Sequence, residues 1–157
     1  MEDARRLAAY AKYPPLGERS WGSYGGLGAS GLDQNRYLRQ ANAFSLTFAM
    51  IETREAMAIV DDILAIDGID ALFVGPSDLS IALSGGASIN ASAKEVDDAM
   101  RHIVARANAV KKPVAFYAGT AERAKEGVAL GARLVTVMSD TGLLRAASQA
   151  ALKVIKG

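Results

Sequence analysis

The stretch DALFVGPSDLS, residues 70–80, joins the end of an apolar run to the start of a helix. The run ends at Gly75 and Pro76, and proline is favoured at the first position of a helix because its ring already fixes a helical φ angle. Asp78 then stands in the predicted first turn, where the helix dipole favours a carboxylate. The stretch therefore predicts a buried strand that passes directly into a helix.

Similar apolar runs recur along the chain and alternate with segments of helical period. The runs occupy residues 44–51, 70–75, 113–118 and 134–139, and the segments between them place apolar residues three and four apart. Strands that are apolar along their whole length are buried on both faces, as in parallel sheets. We therefore predict an α/β fold of four βα units with an extra helix, 93–110, after the second unit. A doubly wound sheet and a β/α barrel both fit this pattern.

The first 43 residues have a different character. Residues 2–12 predict a helix, residues 13–31 are dense in Gly, Pro and Ser and predict a loop, and residues 32–42 predict a short helix. A loop of that length in a compact domain is usually functional or covers something. We expect residues 1–157 to form a single domain, since the chain is long enough to bury one core.

Composition excludes several classes of function. The 157 residues include 18 basic and 17 acidic side chains without a block of like charge, which argues against a nucleic-acid groove or a polybasic membrane patch. The absence of cysteine excludes disulfides, thiolate metal sites and cysteine nucleophiles. The first ten residues lack the apolar core of a signal peptide, and the apolar runs are too short to cross a membrane. We expect a soluble, cytoplasmic protein with small-molecule or protein partners.

One glycine motif suggests nucleotide binding but stands in the wrong context. GLGASG, residues 26–31, matches the G-x-G-x-x-G fingerprint of dinucleotide-binding folds. That fingerprint functions when a strand leads directly into the glycines and a helix follows them. The preceding residues, 18–25, do not predict a strand, so we discount the nucleotide hypothesis.

Two carboxylates are better placed to form a site. Glu52 and Asp78 each follow an apolar strand, and ligands of βα folds bind at the carboxyl ends of the strands. Carboxylate oxygens without a nearby His or Cys suit Mg²⁺ or Mn²⁺. The amides of Ser77, Asp78 and Leu79 at the start of the predicted helix would form an anion site beside the metal. Spacing alone leaves an alternative open, in which both acids only stabilise the first turns of their helices.

Three longer motifs resemble one enzyme family. MIETREAMAIVDDILAIDGIDALFVGPSDLSIALS (50–84), KYPPLGERSWG (12–22) and GARLVTVMSDTGLL (131–144) are similar to segments of the HpcH/HpaI aldolases, the class II pyruvate aldolases of the 4-hydroxy-2-oxoheptanedioate aldolase type. Members of this family are (β/α)₈ barrels of about 250 residues. The resemblance covers roughly the C-terminal three-fifths of that barrel, so it implies a partial barrel containing the last four βα units.

The resemblance also implies an activity and its site. It assigns Glu52 and Asp78 as ligands of a divalent metal, Mg²⁺ or Mn²⁺, and the backbone amides at Ser77 and Asp78 as contacts of the substrate carboxylate. The metal would chelate pyruvate and stabilise the enolate that forms when a 4-hydroxy-2-oxo acid is cleaved to pyruvate and an aldehyde. Many relatives carry Gln at the position of Met50, so a polar contact near the metal is expected to be missing.

The catalytic groups of the family have no counterpart that we can identify here. The resemblance places the family's arginine and histidine in the first barrel strands, outside the matched part, and the catalytic residues therefore stay unknown. The single histidine, His102, is expected on a helix surface, and Arg19 and Arg54 are expected to be solvated. The alternative to an active aldolase is an incomplete half-barrel that pairs with itself, as a homo-oligomer, or with a chain that completes the site.

Three other residues have expected structural roles. Trp21 and Tyr24 are aromatic residues of the glycine-rich segment, and we expect them to anchor that segment on the core more often than to line a pocket. Asp140 follows the last apolar run, and we expect it to be a helix N-cap.

Overall fold

The computed structural model describes residues 1–156 and contains a four-stranded parallel sheet. The strands are β1 (Phe48–Ile51), β2 (Ala71–Val74), β3 (Val114–Tyr117) and β4 (Leu134–Thr136), and they lie side by side in chain order. The helices are α1 (Glu2–Ala11), α2 (Tyr24–Ser30), α3 (Gln34–Phe44), α4 (Arg54–Ala58), α5 (Val60–Leu64), α6 (Pro76–Leu83), α7 (Lys94–Ala109), α8 (Ala121–Leu130) and α9 (Asp140–Lys156). The predicted parallel α/β architecture is confirmed, including the extra helix, which is α7.

The two faces of the sheet have different surroundings. Ile51, Val74 and Phe116 are aligned across β1, β2 and β3, and they belong to the buried core that also includes side chains of α5, α6 and α7. Side chains alternate between faces along a strand, so Met50 and Phe73, which are aligned with each other, lie on the opposite face. We call that opposite face of the sheet the second face. Met50 is 50% exposed there, so part of this face is open.

The glycine-rich segment is not entirely loop, contrary to the sequence prediction. Tyr24–Ser30 forms helix α2, which ends at Gly31 in the left-handed conformation. A Cβ atom at Gly26 would come within 2.5 Å of the hydroxyl oxygen of Tyr37, so the glycine allows α2 to approach α3 closely. Because the motif 26–31 begins inside a helix and no strand leads into it, the geometry of a dinucleotide fingerprint is absent from residues 1–156.

Four other elements differ from their predicted bounds. The first strand begins at Phe48 rather than residue 44, because Phe44 ends helix α3, where its ring packs at 5.4 Å from that of Tyr37. The helix expected after this strand is broken at Ile59 into α4 and α5. The last two strands are shorter than their apolar runs, since β3 ends at Tyr117 and β4 ends at Thr136.

Helices α1 and α3 attach to the amino-terminal ends of the strands. Lys12 is 1% exposed, and its ammonium group donates to Asp70 Oδ2 at 2.5 Å and to the Ser45 carbonyl at 2.5 Å. The same Asp70 oxygen accepts the Thr47 amide at 2.7 Å, just before β1. This network connects α1 and α3 to the starts of β1 and β2. Among residues 1–156, no helix is both long and apolar enough to cross a membrane.

Candidate functional site

Glu52 and Asp78 lie at the same end of two adjacent strands. Glu52 directly follows β1, and Asp78 lies in the first turn of α6, which follows β2 after Gly75. The last residues of the two strands, Ile51 and Val74, are partners in parallel register. Both acids therefore lie at the carboxyl-terminal end of the sheet.

The two acids line a common pocket with a volume of about 290 Å³. Glu52 is half-buried, whereas Asp78 is exposed. The lining residues are Met50, Glu52, Phe73, Gly75, Pro76, Ser77, Asp78 and Tyr117. The structure thus brings together the three residues that the sequence singled out for a site: Glu52, Ser77 and Asp78.

Gly75 allows the Glu52 carboxylate to lie directly against the chain that leads into α6. A Cβ atom at position 75 would be 2.8 Å from Glu52 Oε2 and 3.7 Å from Met50 Sδ. The backbone angles of Gly75, φ −97° and ψ 90°, are accessible to other residues, so the close approach rather than the backbone conformation requires glycine here. Gly75 therefore leaves the space that the Glu52 carboxylate occupies.

The start of α6 offers backbone donors to the same pocket. The first intrahelical bond joins the Leu79 amide to the Gly75 carbonyl at 2.9 Å, so the expectation that the Leu79 amide is free is wrong. The amides of Ser77 and Asp78 come before this bond and have no carbonyl partner within the helix. The Ser80 hydroxyl donates to the Ser77 carbonyl at 2.6 Å and accepts the Asn90 amide at 3.0 Å, which holds the first turn against the following loop.

The remainder of the pocket wall is apolar. Met50 of β1, Phe73 of β2 and Tyr117 of β3 contribute their side chains to it. Sequence reasoning noted Met50 but missed Tyr117, although its position at the carboxyl end of an apolar run was a signal that it could reach a ligand. The contact between Gly75 and Glu52 was also missed, because it depends on side-chain direction.

The basic residues considered from the sequence lie outside this pocket. Arg54 donates from Nε to the Ala82 carbonyl at 2.9 Å and from its terminal nitrogen to the Leu83 carbonyl, so it caps the end of α6 rather than being simply solvated. Arg19 lies over the Tyr13 ring at 4.8 Å from its centroid. His102 is exposed on α7, as expected.

Of the three residues with expected structural roles, Trp21 has the expected one, and Tyr24 and Asp140 do not. Trp21 packs 5.8 Å from the Tyr13 ring and 6.1 Å from the Tyr37 ring, so it anchors the glycine-rich segment as expected. Tyr24 is 81% exposed and does not anchor it. Asp140 is the first residue of α9 rather than its cap, because the Ser139 hydroxyl accepts the Gly142 amide at 3.1 Å.

The donor set suits a metal that keeps several ligand positions for water or substrate. Within residues 1–156, no cluster of three or more His, Cys, Asp or Glu side chains could hold an ion. Glu52 and Asp78 supply two carboxylates, and Mg²⁺ is commonly bound through one or two carboxylates while it retains several waters. The residues present therefore fit a Mg²⁺-type or Mn²⁺-type site better than a closed structural site.

Comparison with known proteins identifies similar chains of greater length. The family model for HpcH/HpaI aldolase/citrate lyase matches residues 1–147. A hydroxypyruvate/pyruvate aldolase from Rhizorhabdus wittichii is 37% identical over 153 residues, which are 94% of this chain and 57% of that protein. A 5-keto-4-deoxy-D-glucarate aldolase from Citrobacter koseri is 38% identical over 148 residues, which are 94% of this chain and 56% of that protein.

The chain also superposes on part of longer solved structures of the same family. The HpcH/HpaI aldolase from Desulfitobacterium hafniense superposes with a TM-score of 0.81 at 28% identity, over 99% of this chain and 60% of that one. A family protein from Burkholderia cenocepacia gives a TM-score of 0.82 at 29% identity, over 99% and 61%. The predicted fold, a partial (β/α)₈ barrel with the C-terminal four βα units, is confirmed. The chain spans about 57% of the length of the curated relatives it matches.

Proposed function

This chain belongs to the HpcH/HpaI aldolase/citrate lyase family, and from that premise we propose that it acts as a divalent-metal-dependent pyruvate aldolase, an aldehyde-lyase. Its relatives include proteins named as hydroxypyruvate/pyruvate aldolase and 2-keto-3-deoxy-L-rhamnonate aldolase. The reaction class proposed is the reversible cleavage of a 4-hydroxy-2-oxo acid to pyruvate and an aldehyde. The observation that carries the proposal is that Glu52 and Asp78 line one pocket at the carboxyl ends of adjacent strands.

Glu52 and Asp78 would hold the metal, Mg²⁺ or Mn²⁺. The Glu52 carboxylate lies in space that the absence of a side chain at Gly75 leaves open, and Asp78 is placed by the first turn of α6. A divalent ion bound there would supply Lewis-acid polarisation of the keto oxygen and stabilise negative charge that develops during cleavage. The helix-start alternative does not fit Glu52, which precedes the Thr53 cap of α4, whereas Asp78 does lie in the first turn of α6.

The start of α6 would bind the substrate carboxylate. The amides of Ser77 and Asp78 lack helical partners and lie at the positive end of the helix dipole, where anions are favoured. A 2-oxo acid whose carboxylate meets these amides would have its keto group near the two acids. The chain's own residues would therefore orient the pyruvate part of the substrate.

The cleavage also needs acid–base groups. The bond between carbons 3 and 4 breaks, the 4-hydroxyl loses its proton as it becomes the aldehyde carbonyl, and carbon 3 gains a proton to form the methyl group of pyruvate. The family resemblance places the arginine and histidine for these steps outside the matched segment. We propose that they come from barrel strands outside residues 1–157, which a second copy of this chain would not supply.

The proposal is tested by measuring pyruvate release from a 4-hydroxy-2-oxo acid with Mn²⁺ or Mg²⁺, and again after EDTA treatment, in the presence of the barrel segment that carries the acid–base groups. The chain alone should show little or no turnover. We expect release that depends on the metal and falls at least about 100-fold in Asp78→Asn, because the ion that would stabilise the developing negative charge is no longer held by both carboxylates. Asp67→Asn, at an exposed acid in the α5–β2 loop, is the matched control and should keep the rate. Release that persists in EDTA would contradict a metal-dependent aldolase.

A further inference from the structure

The apolar wall of the pocket is formed by side chains from three successive strands. Met50 and Phe73 are direct partners on the second face, and Phe73 is aligned with Ala115, two residues before Tyr117. The three side chains Met50, Phe73 and Tyr117, which we call the apolar wall, therefore stand on one face of the sheet. Met50 is 50% exposed and Tyr117 is 37% exposed in residues 1–156, and both line the pocket.

The pocket has no positively charged side chain among its lining residues in the described chain. Its charged lining residues in the described chain are Glu52 and Asp78, both acidic. Arg54 follows Glu52 by two residues, but it donates to the carbonyls of Ala82 and Leu83 at the C-terminal end of α6. The side of the pocket built by residues 1–156 therefore gives a second carboxylate on the substrate no cation to pair with.

The pocket lining combines two kinds of chemistry. The region at Ser77 and Asp78 has backbone donors and carboxylates, which suit the polar 2-oxo acid end of a substrate. The region along Met50, Phe73 and Tyr117 has a thioether and two aromatic rings. Apolar and aromatic groups gain free energy by leaving water against such a surface, whereas a charged group there loses hydration without compensation.

We propose that the apolar wall selects the part of the substrate that becomes the aldehyde, favouring an apolar or aromatic group over one that carries a second carboxylate. The proposal rests on the proposed function, because it takes the Ser77 and Asp78 end as the binding site of the 2-oxo acid group. Tyr117 is the principal specificity determinant, through its ring rather than its hydroxyl. Met50 contributes a flexible apolar surface that can adapt to tails of different shape.

The experiment compares 2-oxo acids that cannot be cleaved because they lack a 4-hydroxyl group. Calorimetry with Mn²⁺ present measures the affinities of 4-phenyl-2-oxobutanoate, 2-oxohexanoate and 2-oxoadipate, each relative to pyruvate. We expect the phenyl and alkyl compounds to bind at least about tenfold more tightly than 2-oxoadipate, because one aromatic contact changes an affinity by about that factor.

Substitutions in the apolar wall test whether its side chains cause the difference in affinity between the compounds. Tyr117→Phe retains the ring and should retain the preference, whereas Tyr117→Ala should reduce the ratio of phenyl to adipate affinity by about tenfold. Met50→Gln should reduce it in the same direction. Tyr24→Ala removes a tyrosine that is 81% exposed outside the pocket, and it should leave the ratio unchanged.

The outcomes distinguish this proposal from the proposed function. If pyruvate binds with Mn²⁺ but 2-oxoadipate binds as tightly as the phenyl compound, the function stands and the selectivity is wrong. A ratio that is the same in Tyr117→Ala as in the unchanged protein would also overturn the assignment of Tyr117. If pyruvate itself does not bind in the presence of Mn²⁺, the proposed function fails and the selectivity fails with it.

Discussion

At the scale of single residues, the candidate site depends on how closely Glu52 approaches the chain at Gly75. The carboxylate oxygen lies where the first side-chain atom of any other residue would come within 2.8 Å of it. Because the backbone at Gly75 has negative φ, substitution there would not strain the main chain. A substitution would instead move the end of a flexible glutamate side chain, which alters the site while the fold persists.

We predict that Gly75→Ala weakens Mn²⁺ binding by about tenfold or more, the usual effect of disturbing a group that orients a metal ligand. The free energy of unfolding should change by less than about 1 kcal/mol, since the displaced group is a mobile side chain. Metal titration and urea denaturation measure the two effects. Gly28→Ala is the control, because a Cβ atom at Gly28 would meet no other atom within 4 Å. Unchanged metal affinity in Gly75→Ala would show that the Glu52 position is not critical.

Sequence reasoning singled out the two acids that line the pocket but could not predict their surroundings. Glu52 and Asp78 were identifiable because each follows an apolar strand, which is a property of position along the chain. The closeness of Gly75 to Glu52 and the presence of Tyr117 in the pocket depend on strand register and side-chain direction. Neither register nor direction can be obtained from the spacing of residues in one sequence.

At the scale of elements, the buried Lys12 fixes the N-terminal helices to the sheet. Its side chain is 1% exposed, whereas that of its partner Asp70 is 30% exposed. The ammonium also donates to the Ser45 carbonyl, between α3 and β1. A charge buried this deeply needs its partner, because desolvation is not otherwise compensated.

We predict that Asp70→Asn lowers the free energy of unfolding by about 2 kcal/mol, since it leaves the Lys12 charge buried without a counter-charge while it retains a similar shape. The value is set below that for a fully buried pair because Asp70 is partly exposed. Urea denaturation measures the change. Asp61→Asn is the comparison, because Asp61 forms an exposed ion pair with Arg106 and its removal should have no resolvable effect. Equal stability of the two variants would contradict a structural role for the buried pair.

The elements themselves were largely predictable, and their bounds were not. The four apolar runs predicted the four strands and their parallel arrangement, because β-branched and aromatic runs separated by amphipathic segments have few other solutions. Residues 44–47 were assigned to a strand, but Phe44 packs on Tyr37 and continues α3. Helix α2 was missed because glycine has low helix propensity, and here close packing on Tyr37 overrides that propensity.

At the scale of the whole molecule, considerable apolar surface is open to solvent. Helix α9 has no buried residue, and its Leu144, Val154 and Ile155 are 70%, 84% and 79% exposed. Strands β1 and β4 are the edges of the sheet, each with one hydrogen-bonded neighbour in the described chain. Exposed edges and apolar patches of this kind promote association.

We predict that the purified chain associates with itself, as light scattering coupled to size-exclusion chromatography would detect. Ile155→Glu should shift the population towards monomer, because it places a charge on the apolar side of α9. Gln149→Glu adds the same charge on the side that carries Arg145 and Lys153, and it should leave the mass distribution unchanged. A monodisperse monomer at micromolar concentration would contradict the prediction.

The central claim is that Glu52 and Asp78 together form a metal site that binds a 2-oxo acid. The most direct measurement is calorimetric titration of pyruvate with and without Mn²⁺, for the unchanged protein and for Glu52→Gln. We predict pyruvate binding that requires Mn²⁺ and is lost in Glu52→Gln, while Glu55→Gln, at an exposed acid of the next helix, retains it. Pyruvate and Mn²⁺ affinities that are the same in Glu52→Gln as in the unchanged protein would contradict the claim.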